Sequence, residues 1–137
     1  MTQDRITVET VVDGPVDRAW DVYVTPEHVR TWNFASDDWH CPEARAELRE
    51  GGRFSSRMEA KDGSMGFDFE GTYTRIVLQE RIESDFGERH AVVTFAPEGD
   101  GTAVRVSFDP ESDHPIEAQR DGWQAILDNY ARRVAAG

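Results

Sequence analysis

Hydrophobic and polar positions alternate along most of this chain, and the alternation breaks where glycine or proline interrupts it. From residue 6, Ile6, Val8, Thr10 and Val12 fall on one side and Thr7, Glu9 and Val11 on the other, which predicts a strand. Asp13-Gly14-Pro15 ends it. Proline fixes its own φ and lacks an N–H that the first helical turn leaves unpaired, so Pro15 predicts the start of a helix carrying Ala19, Trp20, Tyr23 and Val24. Thr25-Pro26-Glu27 repeats the signal and opens a second short helix through Val29 to about Trp32.

Residues 33–42, NFASDDWHCP, show neither period and read as a loop with an unusual aromatic load. Alternation then resumes, with Ala44, Ala46 and Leu48 against Glu43, Arg45, Glu47 and Arg49, up to Gly51-Gly52. The next strand sets Phe54, Ser56, Met58 and Ala60 against Arg53, Ser55, Arg57 and Glu59. Asp62-Gly63 predicts a tight hairpin of type I′. A long strand from about Met65 places Phe67, Phe69, Gly71 and Tyr73 on one face, and three more strands are expected over 81–86, 89–96 and 102–109. Six hairpin-linked strands with one apolar face need a cover. The cover is the segment from Pro115 to Val134, whose Trp123, Ile126, Leu127, Tyr130 and Val134 form one helical stripe. Glu117, three residues after His114, sits where a capping-box carboxylate belongs, and Gly122 predicts a bend or a close backbone approach.

A length of 137 residues fits one domain over 1–137, and a hydrophobic content of 38% is enough for a packed interior. The formal charge of -12, from 27 Asp and Glu against 15 Lys and Arg, changes the list of partners: it repels phosphates and anionic head groups. No nucleic acid and no membrane partner is expected. The single cysteine, Cys41, forms no internal disulfide, and the N-terminal segment MTQDRITVE lacks a basic region followed by an apolar run. A cytoplasmic setting is the expectation. The open edges of an antiparallel sheet also allow a homodimer.

An order of strand, two short helices, six strands and a long closing helix resembles the helix-grip fold of the START-like (SRPBCC) superfamily. The segments RAWDVYVTPEHVRTW, ARAELREGGRF, FDFEGTYTRI, TAVRVSFDPE and EAQRDGWQAILDNY resemble stand-alone homologues of the C-terminal domain of the activator of Hsp90 ATPase, over nearly all of residues 5–135. The resemblance implies an α+β fold, β-α-α-β6-α, in which a curved antiparallel sheet of about seven strands wraps on the C-terminal helix. It also implies a cavity that holds a small lipophilic molecule, such as a lipid, a polyketide or a flavonoid. Some relatives cyclise polyketides, and the eukaryotic namesake contacts a chaperone; these give two alternative readings, a cyclase or aromatase and a chaperone-associated adaptor.

Strand parity directs Phe54, Ser56, Met58, Phe67, Phe69 and Tyr73 toward that interior, and the helix adds Trp123 and Leu127. Phe34, Trp39 and His40, in the aromatic loop, are expected to border the mouth. Gln119 lies four residues before Trp123 on the buried stripe, so its amide needs a partner in the protein or on a ligand. A cyclase needs one group to take a proton and another to donate one, for which Tyr73, His40 and Gln119 are the polar candidates. Parity puts His90, Asp68 and Glu70 on the solvent face, so no catalytic residue is assigned. His40 and Cys41 are adjacent without a second ligand pair, and no phosphate-binding glycine loop occurs, so neither metal nor cofactor is expected.

Overall fold

The computed structural model of the chain describes residues 5–136; residues 1–4, part of the segment inspected for a leader, and residue 137 lie outside them. Strand β1 (Ile6–Val12) leads into helices α1 (Val16–Val24) and α2 (Pro26–Val29). Six strands follow: β2 (Trp39–Ala46), β3 (Arg53–Ala60), β4 (Gly66–Val77), β5 (Arg81–Phe86), β6 (Arg89–Glu98) and β7 (Gly101–Phe108). Helix α3 (Ile116–Ala135) closes the chain.

All seven strands form one antiparallel sheet in the order β1-β7-β6-β5-β4-β3-β2. The chain leaves β1 at one edge, crosses through α1 and α2, enters the opposite edge as β2, and meanders back until β7 pairs with β1. This is the helix-grip arrangement. In β1 the inward Ile6, Val8 and Val12 are buried while Thr7, Glu9 and Val11 are exposed, as a half-buried strand requires. Helix α3 makes its closest backbone approach to β1 and also meets α1. Its buried stripe is Gln119, Leu127, Tyr130 and Val134. No helix among the described residues is long and apolar enough to cross a membrane.

Rings from α1, the turn after α2, β6 and α3 fill one end of the molecule. Tyr23 packs against Trp32, Phe95 and Tyr130 with centroids 5.2, 5.6 and 5.2 Å apart. Each ring of that size removes about 150–250 Å² from water, which makes this plug the main apolar anchor for the helices. The buried polar atoms inside it are paired: the Trp32 indole donates to the Val22 carbonyl at 2.9 Å and the Tyr130 hydroxyl to the Ala19 carbonyl at 2.6 Å.

Four local expectations need correction. Trp39, His40 and Cys41 belong to β2 rather than to a loop, because a bulge between His40 and Glu43 shifts the register and hides the alternation. The β3–β4 connection is a five-residue loop, 61–65, with positive φ at Gly63 and not at Asp62, so the type I′ turn does not form. The Asp62 carboxylate instead accepts from the Ser64 backbone N–H at 2.8 Å and hydroxyl at 2.6 Å, and Ala60 N–H closes the loop on the Met65 carbonyl. The N-cap of α3 is Pro115, without a side-chain capping bond, so His114 and Glu117 form no capping box. A Cβ on Gly122 would meet no atom within 4 Å, so no close approach requires glycine there.

Candidate functional site

The concave face of the sheet carries a run of small residues across its strands: Ala46 at the end of edge strand β2, Ser56 on β3, Gly71 on β4, Ser84 on β5 and Ala91 on β6. Side chains of that size cannot reach a helix packed about 10 Å above a sheet. Gly71 is itself required, because a Cβ there would lie 2.4 Å from the Asp85 carbonyl and 2.6 Å from the Phe54 ring. The Trp123 indole, which α3 directs toward the trough, stacks on Phe108 with centroids 3.9 Å apart and planes within 13°. That draws it toward β7, while it also meets Phe69 on β4 with centroids 6.1 Å apart. A cavity of about 340 Å³ remains between sheet and helices.

Its walls are mainly apolar. The sheet contributes Phe54, Met58, Phe67, Phe69 and Ile82, α3 contributes Trp123, Ile126 and Leu127, and the α1–α2 region contributes Tyr23, Val29 and Trp32. Phe67, 47% exposed, marks where the hollow meets solvent. Ligand cavities generally measure about 300–1,000 Å³, so this one has room for a single small guest.

A few polar groups interrupt the apolar lining. Tyr73 on β4 lies directly across from Ser84 on β5, and Ser84 across from Ala91 on β6. Arg89 pairs with Phe86 two residues along the same two strands, so Tyr73, Ser84 and Arg89 form a diagonal polar strip on the concave face. Tyr23 faces it from α1. Burial pushes the Tyr73 phenol up to about 12 and the Tyr23 phenol higher still, with the neighbouring Tyr73 adding to the rise. Both phenols therefore stay protonated at neutral pH and act as hydrogen-bond donors. No described residue bonds either hydroxyl, and neither is sealed off from the hollow.

Among the residues singled out from sequence, Ser56, Met58, Phe67, Phe69, Tyr73, Trp123 and Leu127 line this cavity. Trp39, His40, Phe34 and Gln119 do not. Trp39 sits behind the rim, its ring 6.0 Å from that of Phe67. His40 is the next residue on β2 and so points to the convex face, where Glu59 is 3.8 Å away. Phe34 offers its backbone carbonyl to Asn129 at 2.7 Å. Gln119 is buried, but its amide is used within the protein: its oxygen accepts from Glu111 N–H at 2.9 Å, and its nitrogen donates to the Glu111 and His114 carbonyls. It ties the loop before α3 to the helix. Cys41 is buried, and burial pushes its thiol up, which keeps it protonated at neutral pH.

Arg89, Ser84, Tyr23 and Asn33 are the polar lining residues that sequence reasoning missed. The parity that put Ala91, Val93 and Phe95 inside extends two residues upstream to Arg89, so the signal was present. Tyr23 follows Trp20 by three residues on the buried face of α1.

Among curated proteins, none matches the chain. Solved structures do. The solution structure of an AHSA1-like protein from Aeromonas hydrophila is 41% identical, with a TM-score of 0.91 over 96% of this chain and 92% of that one. A protein from Cytophaga hutchinsonii is 39% identical, with a TM-score of 0.83 over 98% of this chain and 94% of that one. CalU16 from Micromonospora echinospora, 21% identical with a TM-score of 0.69 over 96% of this chain and 76% of that one, shares the fold. With its sheet order, its closing helix and a family-model match over residues 13–135, the chain belongs to the family described as Activator of Hsp90 ATPase homolog 1-like protein.

Proposed function

We propose that this protein binds one small lipophilic or aromatic molecule in the cavity between the sheet and α3. The observation that carries the reading is the hollow itself: about 340 Å³ bounded mainly by apolar side chains, with two tyrosines in its lining whose hydroxyls bond no described residue. Protein interiors are close-packed, and an unfilled space of this size forfeits dispersion contacts along its whole lining. A guest restores them. Each 100 Å² of guest apolar surface removed from water contributes about 2.5 kcal/mol. Association costs at least about 4 kcal/mol, so a guest must bury more than roughly 160 Å² before it binds at all. Fused-ring aromatics and medium-length acyl chains meet that requirement, and the volume excludes a whole phospholipid.

The cavity favours binding over turnover. A cyclase needs a group that takes a proton near neutral pH, and both phenols in the lining hold theirs far above that range. His40, the imidazole considered for the role, is on the other face of the sheet.

The test is a thermal-melt screen of fused-ring aromatics, flavonoids and medium-chain acyl compounds, with Trp123 fluorescence followed in parallel. Binding to the folded state alone raises the melting temperature with ligand concentration. Concentration-dependent stabilisation, lost when Ala91→Phe fills the hollow, is the expected result. A screen in which no compound stabilises the wild-type protein contradicts the proposal.

A further inference from the structure

The cavity holds one charged residue, Arg89, and its surroundings specify the guest further. Arg89 stands at the start of β6 with its guanidinium 4.7 Å above the Phe86 ring. Its Nε donates to the Asp109 backbone carbonyl at 2.9 Å, which fixes the plane of the fork. The two terminal nitrogens have no hydrogen-bond acceptor among the described residues, and no described carboxylate lies within 4.0 Å of them. Arg57, Arg75, Arg81 and Arg105 on the sheet reach carboxylates, as does Arg5 just before β1, whereas Arg45 and Arg53 face solvent on β2 and β3 without one among the described residues. Among the described residues Arg89 is the one cation that lines the hollow, and its terminal nitrogens are not neutralised at contact distance.

An arginine fork recognises a carboxylate through two parallel hydrogen bonds. Ser84, diagonal to Arg89, and Tyr73, across from Ser84, supply hydroxyl donors on the same strip. The remaining lining is apolar, which suits a hydrocarbon or aromatic body attached to that head. We propose that the guest is an amphipathic carboxylic acid, its carboxylate held by the terminal nitrogens of Arg89 and its apolar body lying between Phe69, Met58 and Trp123. This rests on the cavity being a ligand chamber and adds the chemical class of the guest. Desolvation of Arg89 opposes its charge, and Glu111 and Asp109 act in the other direction from beyond contact distance; a bound carboxylate would add the direct contact at the terminal nitrogens.

The experiment compares naphthalene-2-carboxylate, 4-phenylbutanoate and dodecanoate, each with its primary amide, by calorimetric titration of the wild-type protein. A charge-assisted hydrogen bond contributes more than a neutral one, so the acids should bind tighter than the amides by about tenfold or more. Arg89→Gln should bring acid and amide to equal affinity, and Arg89→Lys should restore part of the difference. Equal binding of acid and amide by the wild-type protein overturns the carboxylate assignment and leaves the chamber standing. Binding of no member of the series overturns the chamber reading and the assignment together. The wild-type comparison decides the matter even if an Arg89 variant fails to fold.

Discussion

Two tyrosines separate structural from functional use of a hydroxyl. Tyr130 is fully buried and donates to the Ala19 carbonyl, so Tyr130→Phe removes a made bond and should cost about 1–2 kcal/mol in chemical denaturation. Tyr73 presents its hydroxyl to the hollow without a partner, so Tyr73→Phe should leave stability within about 0.5 kcal/mol of wild type. The same change should weaken guests that accept a hydrogen bond. A large stability loss in Tyr73→Phe would mean that its hydroxyl is tied into the protein. On the convex face, His90 contacts Asp85 at 2.5 Å and Glu83 at 3.0 Å, and these carboxylates, Asp85 foremost, raise its pKa above the ordinary 6.5. Stability from this contact is complete below pH 6.5 and is lost as pH rises through the higher folded value. Glu83 moves the other way, held down by Arg81 first and then by His90, so its contribution disappears as pH falls below about 4.5. The melting temperature should therefore decline above pH 6.5, and His90→Gln should flatten that decline. Identical slopes for the two proteins would remove His90 as the cause.

Helix α3 keeps a glycine in its interior without a packing reason. Glycine costs about 1 kcal/mol relative to alanine in such a position, and a Cβ at Gly122 would enter open space. Gly122→Ala should raise stability by up to about 1 kcal/mol, read as a higher denaturant midpoint at unchanged slope; destabilisation would show a constraint on that backbone. The elements themselves were legible wherever one period ran unbroken. The alternation of β1, β3 and β4 and the stripe of α3 gave their faces directly. Legibility failed where a side chain or an irregularity took over from the pattern. The β2 bulge masked a strand, and the Asp62 carboxylate built a wider loop where Asp-Gly signals a two-residue turn. Gln119 took over the ordering of the α3 approach that a capping box was expected to supply.

Across the molecule as one body, parity located the sheet side of the cavity, since inward positions at Ser56, Met58, Phe67, Phe69 and Tyr73 follow from it. The void itself came only from the family resemblance and not from any local pattern. Whether Trp123 fills a trough or leans on Phe108 depends on how α3 sits over β1, which no local pattern encodes. Arg89 was obscured for a different reason, because a charged residue at a strand end is ordinarily solvated and the inward parity ran against that habit. Charge also sets how a guest arrives. A net charge of -12 repels an acid at long range, whereas the contact with half-buried Arg89 is poorly screened. The association rate of naphthalene-2-carboxylate should rise with added salt, and that of its amide should not. Parallel salt responses would argue against an anionic guest.

Methyl and backbone chemical-shift mapping by NMR, during titration with the tightest compound of the screen, decides whether the hollow is a binding chamber. Shifts should concentrate on Ile82, Val93, Ile126 and Leu127, which border it, and spare Val11 and Leu78 on the exposed surface. Saturable shifts confined to the outer surface, with the cavity residues unmoved, would contradict the account.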